Sequence, residues 1–272
     1  MSKTQTSTFT ESALSDRVKD FLIRFKDKSG SYKYVEQIDE MMPKSAKYII
    51  VDYNDLVVEP EIEIIFTTDP DRILNAFSRA IKEALQTRFP DYAEKIKDEV
   101  RVRLVNYPLQ RSLRQINAET IGNIASVSGM VVRASEVKPL AKELVFVCPD
   151  DHQTKVIQLK GMDVKIPIVC DNPSCKHRDF ELKPEASKFI DFQILRLQEL
   201  PEDLPPGQLP HYIDVTIRQD LVDNARPGDR IILTGIVRVE QESIAGITRG
   251  HSGLYRLRIE GNNIEFLGGR GS

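Results

Sequence analysis

Apolar residues recur at helical spacing through the first third of the chain. Leu14, Val18, Phe21, Leu22 and Phe25 fall on one face of a helix over residues 11–27, which Lys28-Ser29-Gly30 ends. Tyr34 to Met42 reads as a second, shorter helix stopped by Pro43. Tyr48 to Asp52 is an apolar strand or an extended link. At Asp69-Pro70 a capping side chain precedes a proline at the first helical position. The helix it opens runs to Arg88, with Ile73, Phe77, Ala80, Ile81, Ala84 and Leu85 on one face. Phe89-Pro90 breaks it, and Asp91 to Lys97 is a further helical piece. A helical bundle with charged outer faces follows, and it holds no catalytic constellation.

From Val100 the period changes to two. Val100 to Val105 alternates as a strand, and a boundary falls near residue 106. Ile124 to Ala134 is a long strand whose interior Gly129 marks a bulge or a bend. Lys188 to Leu197 and His211 to Ile217 are strands, separated by a stretch with Pro201, Pro205 and Pro206 that suits an exposed loop of fixed shape. Pro227-Gly228 forms a tight turn. The strand after it alternates Ile231, Leu233, Val237 and Val239 with Ile232, Thr234, Ile236 and Arg238. Leu254 to Leu267 is its partner, and the connection Ser243 to Gly253 carries Arg249 and His251 among glycines. Five or six strands with a glycine bend suit a five-stranded, partly open barrel of the oligonucleotide-binding (OB) type.

Net charge is −3, so any nucleic-acid binding must come from local patches. The polar N-terminal residues give no secretory signal, and no apolar run reaches membrane-spanning length. Arg133 and Lys138, near the end of the Gly129 strand, fit either a solvated face or a nucleic-acid groove. The three cysteines cluster between Cys148 and Cys175, an odd number that argues against a disulfide framework. Cys148-x3-His152, seventeen residues, then Cys170-x4-Cys175 places two ligand pairs on two turns, the pattern of a closed tetrahedral zinc shell. His177 competes as the fourth ligand, with Asp150 and Asp151 weaker competitors. The plain alternative is three buried thiols and a surface histidine. A catalytic zinc would need an open position and a general base, and the sequence shows neither.

Four segments in this order resemble the N-terminal region of a minichromosome maintenance (MCM) replicative helicase, most like a compact archaeal one. They are Ser128 to Pro139 (SGMVVRASEVKP), the cysteine-rich insert, Leu204 to Pro210 (LPPGQLP) and Asp220 to Arg230 (DLVDNARPGDR). The resemblance covers residues 100–267 strongly and the helical third weakly. It implies an α+β chain of three parts: a helical bundle over 1–105, an OB-fold barrel with a β-hairpin over 106–139 and 184–267, and a zinc-binding insert over 140–183. Residues 268–272 read as a linker or cloning scar.

By the same resemblance, Cys148, His152, Cys170 and Cys175 hold a structural zinc, although the family often has Cys-x2-Cys where this chain has Cys-x4-Cys. Arg133, Lys138 and Lys188 match basic barrel positions that bind single-stranded DNA, and Arg249 matches the hairpin tip in the central channel. Glu199, Pro201, Leu204, Pro205, Pro206, Gly207, Gln208, Leu209 and Pro210 match the family's communication loop to the motor. The implied partners are single-stranded and also double-stranded DNA, other copies in a hexamer, double hexamer or filament, and the AAA+ motor. No membrane is involved. The place of action is the nucleoid if archaeal and the nucleus if eukaryotic.

No Gly-x4-Gly-Lys-Ser/Thr occurs, so ATP binding and hydrolysis are expected from a motor following residue 267 and not from this stretch. Two readings of other classes compete: a zinc hydrolase, and a zinc-containing protein-interaction scaffold without DNA affinity of its own.

Overall fold

The structure, a computed structural model, describes residues 10–158, 164–242 and 253–268. Five helices open the chain. α1 (Glu11–Arg24) begins where Thr10 Oγ1 accepts the Ala13 amide at 3.3 Å. It stops three residues short of the expected end, because Phe25 turns to extended backbone (ψ 126°). α2 (Lys33–Met41) follows. β1 (Tyr48–Asp52) leads through a 3-10 turn into α3 (Pro60–Thr68), a helix that no apolar period in the sequence announces. α4 (Pro70–Arg88) starts as expected, Asp69 accepting the Arg72 amide at 3.2 Å. α5 (Pro90–Ile96) restarts after Phe89. α1 packs on α4, so that Leu14, Val18, Phe21, Ile73, Phe77 and Ile81 share one buried core.

β2 (Arg101–Val105) returns to this layer and pairs with β1 in parallel, Tyr48 opposite Arg101 and Asp52 opposite Val105. The pair buries Ile49, Val51, Val102 and Leu104 in the helical core, which makes β1 a strand and not a link.

Among the described residues nine strands form the second layer, the five or six expected of the barrel being joined by strands of the cysteine-bearing insert and a two-residue strand. They are β3 (Gln110–Arg111), β4 (Ile124–Ala134), β5 (Lys138–Val147), β6 (Gln153–Ile157), β7 (Glu181–Leu182), β8 (Lys188–Gln198), β9 (Tyr212–Arg218), β10 (Arg230–Gln241) and β11 (Tyr255–Phe266). Their pairings run β4–β10–β11–β9–β8, and β8 pairs again with β4 at Met130↔Gln198. Val127, Val131, Leu195, Leu197, Val215, Ile217, Ile231, Leu233 and Ile259 fill the space these five strands enclose. This is an OB-type sheet beside a helical layer.

Gly129 does not mark a bulge: its register with Ile231 is unbroken, and the irregularity lies between Val131 and Arg133. The glycine answers a close approach, since a Cβ there would lie 2.9 Å from the Gln198 carbonyl oxygen, where β4 passes from β10 to β8. A second irregularity separates Thr234↔Asn263 from Gly235↔Gly261, so Asn262 is the extra residue of a bulge in β11. The strands are so close here that a Cβ on Gly235 would lie 2.4 Å from Glu260 O.

The bulge ties the two layers together. Asn262 Nδ2 donates to Val102 O at 2.8 Å, and the Leu104 amide donates to Asn262 Oδ1 at 2.7 Å. Both bonds are buried. Asn262→Ala leaves a buried carbonyl and a buried amide of β2 unpaired, at a cost of about 2 kcal/mol. Urea denaturation checks this. A loss below about 0.5 kcal/mol would show that the clamp contributes no net stability.

β5 serves two neighbourhoods. Its first half pairs with β8, Lys138 opposite Phe192 and Leu140 opposite Ile190. Its second half pairs with β6 and β7, Phe146 opposite Thr154 and Leu182. The strand runs unbroken through residues 139 and 140 into the cysteine-bearing insert.

Candidate functional site

β5 delivers Cys148 at its end. A tight turn follows, in which the Asp151 amide bonds Cys148 O at 2.9 Å and the Cys148 amide bonds His152 O at 3.1 Å. Asp151 takes a positive φ of 58° to close it. A second turn carries Cys170 and Cys175, its amides bonded to His177 O at 3.2 Å and Asn172 O at 2.9 Å. The two turns bring all three cysteines, buried, against the His152 ring.

Cys148 Sγ lies 3.8 Å from Cys175 Sγ, 3.9 Å from Cys170 Sγ and 3.5 Å from His152 Nδ1. A disulfide would need about 2.0 Å. Sulfurs each about 2.3 Å from a tetrahedral centre lie about 3.8 Å apart. The spacing therefore fits four ligands around one metal ion. Asn172 supports the set, its carboxamide 2.8 Å from His152 Nε2, which holds Nδ1 toward the sulfurs.

The electrostatics point the same way. Burial opposes the thiolate of Cys148, but the amides of Asp150 and His152, with the His152 ring, outweigh it and lower that thiol. For Cys175 the His177 amide favours ionisation, yet burial and the Cys170 and Cys148 sulfurs outweigh it and raise the thiol. Three thiolates cannot share so small a volume without a cation between them. His177, the competing ligand, instead sits 3.2 Å from Asp150 Oδ2 in an overlapping group with Cys175.

The basic positions fall on the sheet. Arg133 stands opposite Arg196, and Lys138 opposite Phe192, while Lys188 stands opposite Glu143. Residues 188, 192 and 196 alternate with the core residues Leu195 and Leu197, so the three cations share the outer face of β8. Arg133 is exposed and has no side-chain partner among the described residues. Lys188 Nζ lies 3.5 Å from Glu143 Oε1. Arg196, unremarked in the sequence, lies on the same face but is held in a two-point pair with Asp214 at 2.8 and 3.0 Å. Arg249, Gly246, Gly250 and His251 lie outside the described residues.

The proline-rich loop joins β8 to β9. Pro201–Asp203 forms a 3-10 turn, and Leu209 is 85% exposed. The loop is tied down at its base. Glu199 is buried, and its two oxygens accept from Arg114 Nε at 2.9 and 3.0 Å. Arg114 also donates to Gln208 Oε1 at 2.5 Å and to Leu209 O at 2.8 Å. Glu202, further along, pairs with Arg230. No local pattern in the sequence marks Arg114, because its partner is 85 residues away.

A helical layer clamped to an OB-type sheet, with an insert whose cysteine and histidine cluster could hold a metal ion, defines the class of protein. The comparisons agree and go further. Residues 112–241 match the MCM OB domain, and residues 15–106 match the MCM N-terminal domain. The chain is 31% identical over 261 residues to the Minichromosome maintenance protein MCM of Saccharolobus solfataricus, covering 90% of this chain and 36% of that protein. It is 31% identical over 258 residues to DNA replication licensing factor mcm2 of Schizosaccharomyces pombe (93% and 30%). It is 27% identical over 257 residues to DNA replication licensing factor MCM4 of Drosophila melanogaster (90% and 29%). The chain belongs to the minichromosome maintenance family. It spans about a third of the length of these relatives. Among the described residues no helix is long and apolar enough to cross a membrane.

Proposed function

We propose that this chain is the N-terminal, DNA-binding and ring-forming region of an MCM-type replicative helicase, acting on chromosomal DNA in the nucleoid or nucleus. Its parts are the helical subdomain (1–105), a closed five-stranded OB barrel (106–139 and 184–267) and a zinc subdomain inserted in it (140–183). The ring of strand pairings that returns from β8 to β4 supports the closed barrel. Three sulfurs and an imidazole at tetrahedral-edge spacing suit zinc over the hard, oxygen-seeking cations. The ion would hold the insert folded, with no chemistry of its own.

The observation that carries the DNA reading is the row of Arg133, Lys138 and Lys188 on one outer face of β8. Eight residues of strand separate its ends, about 27 Å, a span that tracks several phosphates of an extended single strand. Each cation neutralises a phosphate and releases its counterion. Arg249 would add a contact from the β10–β11 hairpin. Copies assembled in a hexamer or double hexamer multiply these modest contacts by avidity. The loop Glu199–Pro210 would report DNA occupancy to an ATP-driven AAA+ motor elsewhere in the protein.

Fluorescence anisotropy of a labelled single strand across a salt series, beside duplex, tests this. The wild-type chain is expected to bind with a steep negative salt slope. Arg133→Ala with Lys138→Ala should flatten that slope by about 1.4, roughly 0.7 for each lost phosphate contact. A folded double variant with wild-type affinity and slope would remove the assigned face.

A scaffold reading draws on Ile166 and Ile168, 64% and 81% exposed on the insert, which suit contact with a second protein surface. An oligomeric chain without DNA affinity at any salt would favour it.

A further inference from the structure

Between α4 and the outer face of β9, β11 and β10 runs a cleft of about 330 Å³. Ser78, Arg101, Lys142, Arg218, Arg238 and Glu260 are among its lining residues. The charges in its wall do not balance. Arg238 holds Asp71 with two bonds at 2.8 and 2.7 Å and Glu260 with a third at 2.8 Å. One guanidinium thus engages both carboxylates of the wall. Arg218 reaches Glu260 only at 3.7 Å, and its buried Nε has no hydrogen-bond partner. Arg101 finds a backbone acceptor, Arg218 O, at 3.1 Å. Arg258, behind Glu260, donates to Thr216 Oγ1 at 2.7 Å.

Guanidinium groups cannot shed this imbalance by deprotonation at any ordinary pH. Burial is the largest influence on Arg101 and on Arg258 and lowers both; the carboxylates of Asp220 and Glu260 oppose it at Arg101, and that of Glu260 at Arg258, without offsetting it. Burial also opposes the Glu260 carboxylate, but Arg218 and Arg238 outweigh it and hold its pKa below the usual range. The cations therefore stand in a partly dry cleft whose nearby carboxylates are already engaged, Asp71 and Glu260 by Arg238 and Asp220 by Arg103. Cations so placed are costly until an anion is supplied.

We propose that this cleft is a binding site for a phosphate-bearing anion of about di- or triphosphate size, held by Arg101 and Arg218. Guanidinium forks bind phosphate oxygens two at a time, and two arginines on different elements suit an anion with several oxygens. Ser78 and Asn75 of α4 line the opposite wall and have no side-chain bond among the described residues, so they are available to donate. A ligand here touches both the helical layer and the sheet. The phosphate source is either a free phosphate compound or the backbone of a nucleic acid. The second is within reach because Leu140 and Ile190, on the cleft wall, sit two residues from Lys138 and Lys188. The site does not depend on the DNA reading.

The test is calorimetric titration of this chain with sodium tripolyphosphate at fixed ionic strength. We expect saturable one-to-one binding, weakened at least tenfold in Arg218→Gln. Ser78→Asp, which places a carboxylate in the cleft, should also weaken it tenfold while melting at or above the wild-type temperature. No saturable heat, or wild-type affinity in a folded Ser78→Asp, would overturn the proposal. The source follows from competition. An oligonucleotide displaced by tripolyphosphate from the wild type, and not from Ser78→Asp, identifies a backbone phosphate. Displacement of tripolyphosphate by ATP, with oligonucleotide binding undisturbed, identifies a free one. A chain that binds tripolyphosphate and no oligonucleotide loses the DNA reading and keeps this site.

Discussion

Chelation of the metal, or Cys170→Ser, is expected to unfold the insert while the sheet it grows from stays folded. The core around the cluster is Cys148, Cys170 and Cys175 with Phe180 packed against them, and the Phe146 and Phe180 rings meet 6.5 Å apart. That is too little apolar burial to order some forty residues against their conformational entropy. Zinc binding in small knuckles contributes about 10–16 kcal/mol, which is where their folding free energy resides. The OB-type sheet has its own buried core and should hold. Limited proteolysis should open new sites within 140–183 only, and elemental analysis should fall from one zinc per chain to none. Acid should act in the same direction, since ligands that bind as thiolate and neutral imidazole are lost as protons return to them. An insert that keeps its protease resistance after complete metal removal would make the cluster three packed thiols.

Arg114→Ala is expected to cost about 3 kcal/mol and to release the β8–β9 loop. Its carboxylate partner is the more buried of the two, with the Glu199 side chain 2% exposed against 24% for Arg114. Losing the arginine strands a charge in the interior, and such losses run to about 3–5 kcal/mol. The same change strips Gln208 and Leu209 O of their donor. Arg114→Lys should recover little, because an ammonium cannot reproduce four bonds from one planar fork. Adding Glu199→Gln to Arg114→Ala should return part of the loss by removing the stranded charge. Urea denaturation gives the energies, and amide exchange at Glu199 and His211, bonded across the loop base at 3.0 Å, reports the release. A single variant within 0.5 kcal/mol of wild type, with that amide still protected, would show the clamp to be dispensable.

These two sites also show what the sequence made legible. Helices with polar outer faces and capping residues, such as α4 behind Asp69-Pro70, declare themselves locally. α3 does not. Ile62, Ile64, Ile65 and Phe66 crowd a nine-residue helix with apolar groups on more than one face, and no period stands out. Only Pro60 at its first position marked it. Cysteine spacing announced the Cys148, His152, Cys170 and Cys175 cluster, because ligand pairs on turns are a local pattern. What separates His152 from His177 is not local: Asn172 holds one ring and Asp150 engages the other. Gly129 reads in sequence as a bulge or a bend, but what it answers is the close approach of the Gln198 carbonyl on the neighbouring strand, which no local pattern shows. Nothing local in the sequence joins Arg101, Arg218 and Arg238, since they come together only when β2 docks on the sheet at β11.

The unbroken course of β5 has a mechanical consequence. Its ten residues span about 33 Å, from a base paired with β8 to a tip that ends beside Cys148. No loop interrupts it, and its one irregularity against β8 is the extra residue Lys142 between Ala141 and Glu143, just where the strand leaves β8. The strand is a lever arm with its fulcrum in the sheet. A tilt of 10° at the base would swing the tip by about 6 Å. Whatever grips the far end of the insert therefore exerts torque on the same β8 face that carries Arg133, Lys138 and Lys188, and a strand of DNA laid across that face would push back on the grip.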